Sequence, residues 1–220
     1  MIFISIHKNY QNELDLISNQ DLRSIVMDTL DASPECIIEI PASSSGRYHP
    51  SYSLGEGGLM RHTKAAVGIA KCMIETDIFK HMVADELNRT LNLNCSDIEA
   101  EQIYADCVYA ALILHDCMKP DNTEKHSTCF DHPLLAAKLF KQCAVPHINR
   151  ANMGYMKIVV PMVYGAIASH MGQWSTAPYA KGVVLPKPVT PVEHFVHLCD
   201  YLASRKFLEF NFDVYNKVKR

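Results

Sequence analysis

The chain has 220 residues, 48% apolar and 20% charged, a composition that supports a buried core and excludes a disordered tail. Its formal net charge of −3 excludes a global basic field for nucleic acid or anionic membrane and leaves only a local basic site. The eight cysteines (36, 72, 95, 107, 117, 129, 143 and 199) are scattered without CxxC or another short chelating spacing. That usage, together with thiols inside apolar stretches such as "ADCVYAALIL", points to a reducing, cytoplasmic setting.

The opening "MIFIS" is too short for the apolar region of a signal peptide, and the longest apolar run, residues 107 to 114, is far below a membrane span. "DLRSIVMDTL" then places Leu22, Ile25, Val26 and Leu30 at helical spacing. "PASSSGRYHPSYSLGEGG" has no periodicity and reads as a long ordered loop. In "GLMRHTKAAVGIAKCMIE", Leu59, Ala66, Ile69, Ala70 and Met73 trace one face, and His62 shares it.

Residues 78 to 95 are compatible with a lid or with a packed helix. After them Ser96 and Glu99 have the spacing of a capping box, opening a helix that runs inward through "CVYAALILHD". "HPLLAAKLFKQC" predicts another helix with Pro133 in its first turn. "MKIVVPMVYGAIASHMG" predicts a further one that Pro161 either kinks or precedes. Thr190, Pro191 and Glu193 repeat the capping signature before "VEHFVHLCDYLASRKF". No alternating strand pattern of useful length appears, so the expected class is all-α. The expected organisation is an N-terminal helical extension over 1–40 packed on the core, a main domain over 41–210 and a tail over 211–220.

Side chains able to bind metal occur near the ends or inner faces of five predicted helices: His62, His115 with Asp116, His132, His170 and Asp200. Each also has an ordinary explanation. His62 suits a satisfied histidine beside the core, His132 a helix start, and His170 a contact with terminal carbonyls near Gly172. Asp200 shares a side with apolar Val196 and Phe207, and a carboxylate buried there needs a partner. A histidine–aspartate pair alone is weak evidence. Neighbouring helical positions diverge by about 100°, so His115 and Asp116 can converge on one site only where their helix ends, and Pro120 favours an end there.

The order His62, His115-Asp116, Asp200 resembles the H…HD…D signature of the HD superfamily of metal-dependent phosphohydrolases, and His132 and His170 match the two further histidines of its dinuclear members. "GGLMRHT", "LILHDCMKP", "HPLLAA", "ASHMG" and "HLCDYLASR" are similar to its ligand-bearing segments, over residues 41 to 205. "PASSSGRYHPSYSLGEGGLMRHT" most resembles HD domains of 3′ to 5′ exoribonuclease-like proteins. Met118 stands where the family's HDxGK segment has glycine, and Met171 replaces the second histidine of SHHG; both departures touch the substrate pocket.

The resemblance implies an HD-domain helical bundle with a metal site between helices. It implies that His62, His115, Asp116 and Asp200 bind one metal while His132 and His170 bind a second that shares Asp116. Two divalent transition-metal ions, iron or manganese foremost and zinc, cobalt or nickel as alternatives, suit the mixed nitrogen and oxygen donors. Cations about 4 Å apart would activate a bridging hydroxide for attack on phosphorus. Asp116 and Lys119 are the candidate catalytic residues. Lys119, Arg47, His49 and Arg205 are the candidates for substrate binding, and His194 and His197 are read as supporting or surface residues. The expected substrate is a small nucleotide or short single-stranded nucleic acid, because the acidic balance and the lack of an evident stacking platform argue against long nucleic acid. No membrane partner is expected, and no long heptad pattern indicates an oligomeric state. Two alternatives share the six ligands: a dinuclear-iron oxygenase resembling inositol oxygenase, and a metal-stabilised nucleotide-sensing or interaction module.

Overall fold

A helix buried on every face is stable only when other elements surround it, and residues 104–114 form such a stretch. The computed structural model describes residues 5–43, 45–76, 79, 83, 96–120, 128–180 and 182–208. Among the described residues the α-helices are α1 (Gln11–Leu14), α2 (Gln20–Asp31), α3 (Gly58–Ile74), α4 (Asp97–Leu114), α5 (His132–Ala144), α6 (Met153–Ser169) and α7 (Pro191–Ala203), and there is no strand. The class is all-α. Helix α4 is the axis: it packs on α1, α2, α3, α6 and α7, and residues 104 to 117 are buried without a break.

Local chemistry starts these helices where the sequence signals them. Ser96 and Thr190 each accept from the backbone N–H of the glutamate three residues on, and those glutamates, Glu99 and Glu193, reach back to the cap N–H, so both capping boxes form. Pro133 occupies the first turn of α5. Asn19 caps α2 by accepting from Leu22 N. Helix α3 is entered through Gly57 at φ +69° and Gly58, where a Cβ would meet the Ser53 carbonyl; the preceding loop can therefore pass directly beneath the helix start. Arg61 locks that loop by donating to the carbonyls of Tyr52, Leu54 and Glu56. Its other side is tied to the end of α7, where Tyr52 Oη donates to the Ala203 carbonyl and Lys206 N to that of Tyr48.

One alternative is set aside and one expectation is corrected. Helix α6 runs continuously through Pro161, so of the two readings of that proline, a kink or a helix starting after it, the second does not hold. Pro161 and Lys157, whose carbonyl loses its helical partner, are both exposed, so solvent can satisfy the freed group. Helix α7 ends at Ala203, so Phe207 falls in a separate short turn and is 63% exposed, whereas Val196 is fully buried. Asp200 therefore shares its side with Val196 but not with Phe207. The question of a lid over 78–95, apart from buried Phe79 and Val83, and the tail over 211–220 lie outside the described residues. No helix among the described residues is long and apolar enough to cross a membrane.

Helix α2 packs on α4 and α5, and its entry is held by one buried carboxylate. Asp106, 1% exposed, accepts from Ser18 N, Ser18 Oγ and Asn19 N at 2.9 Å each and from Gln102 Nε2 at 3.0 Å. Asp106→Ala would orphan two backbone N–H groups, so its expected cost is about 3 kcal/mol, read as a lower midpoint in urea unfolding. An unchanged midpoint would show that this anchor contributes nothing to stability.

Candidate metal centre

Three of the histidines sit at helix ends, and each is oriented by a main-chain carbonyl three residues before it. Helix α4 stops at Leu114, so His115 and Asp116 lie in its terminal turn. His115 Nδ1 donates to the Leu112 carbonyl at 2.7 Å, His132 Nδ1 to Cys129 at 2.6 Å, and His170 Nδ1 to Ile167 at 2.8 Å. Spending Nδ1–H on the backbone directs every Nε2 into the centre. His170 thus meets the helix-terminal carbonyl expected of it and still presents its other nitrogen inward, and His132 both begins α5 and faces the site.

The donors form two groups that meet at Asp116. On one side His62 Nε2 lies 3.0 Å from Asp200 Oδ1 and 3.3 Å from His115 Nε2, and His115 Nε2 lies 3.4 Å from Asp116 Oδ2. On the other, Asp116 Oδ1 lies 2.9 Å from His132 Nε2 and 3.6 Å from His170 Nε2, and the two imidazole nitrogens are 3.3 Å apart. The five residues other than Asp200 are at most 3% exposed, and the Asp200 side chain is 17% exposed. Thus His62, His115 and Asp116 can hold one cation, while Asp116, His132 and His170 can hold another.

The contacts suit cations better than they suit one another. Asp116 Oδ1 is buried with no hydrogen-bond partner, although His132 Nε2 is nearby, because a neutral ring with Nδ1 protonated turns a lone pair toward it. Facing Nε2 atoms on neutral rings repel unless positive charge lies between them. Ligands about 2.1 Å from one metal lie roughly 3.0 to 3.4 Å apart in octahedral or tetrahedral arrangements, and the 3.3 Å nitrogen pairs match that spacing. Without a metal, protons partly fill the need. Burial opposes charging His115, but Asp116 and Asp200 outweigh it and lift its pKa to about 9. Burial likewise opposes ionising Asp116 and Asp200. Lys119 and His115 nevertheless hold Asp116 well below the usual carboxylate range, and the His62 hydrogen bond and His115 do so for Asp200. Burial lowers His132.

The remaining candidates are placed unequally. Lys119 Nζ donates to Asp116 Oδ2 at 2.6 Å and is 15% exposed. His49 is brought beside His62, ring centroids 5.9 Å apart. Its Nδ1 is buried without a hydrogen-bond partner, and burial, aided by His62 and Lys119, drops its pKa to about 4. Arg47 is exposed, with its guanidinium over the Tyr48 ring, and is not gathered into the donor cluster. Arg205 packs on Tyr201 and Trp174. His194 is exposed, whereas His197 Nδ1 donates to the His170 carbonyl at 2.6 Å. Met118 packs at the edge of the main core and Met171 against Phe130, Ala180 and Leu185. Sequence reasoning anticipated a carbonyl contact for His170 but not the matching anchors of His115 and His132, although all three lie at a constant three-residue spacing.

An all-α bundle that gathers four histidines and two aspartates from five segments defines a metal-binding helical protein. The family model of the HD domain matches residues 81–205, more than half of the chain, and the protein belongs to that family, whose members are generally metal-dependent phosphohydrolases. The match includes every donor except His62, which the fold adds from α3. Searches of curated proteins and of solved structures found no match.

Manganese at about a hundred times its Kd should stabilise the protein by about 2.7 kcal/mol, roughly 5 to 10 °C in melting temperature for a chain of this size. Asp116→Ala should lose most of that shift. The affinity should also rise with pH until about 9, since a cation must displace the His115 proton. Calorimetric titrations on both sides of neutrality would check this, and a pH-independent affinity would contradict it.

Proposed function

We propose that the protein is a dinuclear, metal-dependent phosphohydrolase that cleaves a phosphoester of a nucleotide or short oligonucleotide. The observation that carries this reading is the division of Asp116: Oδ2 faces His62 and His115, while Oδ1 faces His132 and His170. A carboxylate offers two oxygens and can serve two cations at once. When bound, divalent transition metals, iron or manganese by preference, supply Lewis acidity that activates water and neutralises phosphoryl charge.

The chain's own residues then divide the work. His62, His115, Asp116 and Asp200 hold one ion, and Asp116, His132 and His170 hold the other. The Nδ1–carbonyl bonds keep three of the imidazoles in the tautomer that ligates. Lys119, at the rim, balances the Asp116 charge and is the nearest cation for a phosphoryl oxygen. His49, neutral at pH 7, is a hydrogen-bonding group for the substrate next to His62. Deeply recessed donors favour small or terminal phosphoesters over the middle of a long strand, because the phosphorus must reach a nearly closed centre.

Elemental analysis of the wild type against Asp116→Ala, paired with hydrolysis of bis(p-nitrophenyl) phosphate and a nucleotide panel in Mn²⁺, tests the proposal. Roughly two metal ions per chain should fall away with the substitution, and turnover with them. A metal-replete protein that cleaves no phosphoester would sink the hydrolase reading. Substrate-dependent oxygen consumption by an iron form would replace it with the oxygenase reading.

A further inference from the structure

Outside the donor cluster, aromatic and guanidinium groups meet on the two segments that lead away from His170 and Asp200. The Trp174 indole lies nearly parallel to the Tyr201 ring, at 16° with centroids 5.7 Å apart. The Arg205 guanidinium sits 4.5 Å from the Tyr201 centroid and 5.2 Å from that of Trp174, and Ser204 Oγ accepts from its Nε and Nη2. Trp174 nevertheless remains 40% exposed. A large indole left open while a ring and a cation brace it differs from a side chain filling a core.

The cluster is fixed to the metal centre by short connections. Trp174 follows His170 by four residues, and Tyr201 directly follows Asp200. Between them His197 donates from Nδ1 to the His170 carbonyl, and its Nε2 lies 3.0 Å from Gln173 Oε1. Gly172, at φ +56°, lets the turn press onto that ring, since a Cβ there would collide with His197. Trp174 thus sits on the turn that directly follows a candidate metal-ligand histidine, its N–H donating to the Met171 carbonyl.

We propose that Trp174, braced by Tyr201 and Arg205, is a stacking platform for a nucleobase whose phosphoester reaches the metal centre. The inference rests on the phosphohydrolase reading and assigns the residues that would hold the base of its nucleotide substrates. Aromatic faces and guanidinium planes stack on any base through its π-face. The platform therefore selects nucleotides from base-free phosphates without choosing among bases. Arg205 adds a positive charge suited to the anionic part of the same molecule.

Trp174 is the sole tryptophan of the chain, so its fluorescence reports this one location. The purified protein would be titrated with adenosine 5′-monophosphate and uridine 5′-monophosphate, and with ribose 5-phosphate as the base-free probe. Excitation at the red edge of indole absorption avoids the bases. Saturable quenching by both nucleotides and none by ribose 5-phosphate is expected. No saturable change, or an equal response to ribose 5-phosphate, would overturn the platform. In kinetics, Trp174→Ala should raise KM for nucleotides about tenfold, with Trp174→Phe recovering part of the loss; an unchanged KM would also overturn it. The two readings fail separately. Hydrolysis of bis(p-nitrophenyl) phosphate without nucleotide quenching removes the platform and keeps the hydrolase, while quenching without any turnover does the reverse.

Discussion

A carboxylate taken out of water must be met by positive charge or hydrogen-bond donors, and Asp116 imposes that condition at the centre of this bundle. Only 3% of it is exposed, yet one of its oxygens has no hydrogen-bond partner. Lys119 meets the other oxygen, and four imidazole nitrogens lie within 3.9 Å of one oxygen or the other. This arrangement is unfavourable for neutral rings alone and favourable once cations are shared among them. The surrounding helices can be understood as the scaffold that keeps these groups from separating.

Helix ends are well suited to the task because their last carbonyls lack helical partners. His115 and His170 use such carbonyls to fix their rings, and His132 uses one from the turn before α5. The same backbone groups therefore finish a helix and select an imidazole tautomer. His197 extends the pattern outward by engaging the carbonyl of His170 itself. Burial of residues 104–117 on every side gives the arrangement its stiffness, since a tightly packed interior resists the shifts that would let the donors drift.

The two carboxy-terminal ligand segments carry both the donors His170 and Asp200 and, a few residues further on, the Trp174 indole stacked on Tyr201 and 40% exposed. The loop that carries His49 is pinned by Arg61 to α3 and by Tyr52 and Lys206 to the end of α7. A long loop held at both ends can place a polar side chain as firmly as a helix does.

Much of the bundle was legible from local chemistry. Capping boxes at Ser96 and Thr190, the proline in the first turn of α5 and the apolar run at the end of α4 depend on neighbours within a few residues, so the sequence by itself determined those helices. The order of His62, His115-Asp116, His132, His170 and Asp200, with the segments around them, carried the resemblance to the HD family, to which the family match assigns the chain. Other features depend on groups far apart in the chain, and tertiary structure alone decided them. Periodicity could not show that α7 ends before Phe207 or that solvent would let α6 continue through Pro161. Nor could it show which Asp116 oxygen faces which histidines or that Trp174 stacks on Tyr201. Those outcomes follow from how the helices pack, because packing brings residues 27 positions apart into one contact, as for Trp174 and Tyr201, and no local rule records that distance.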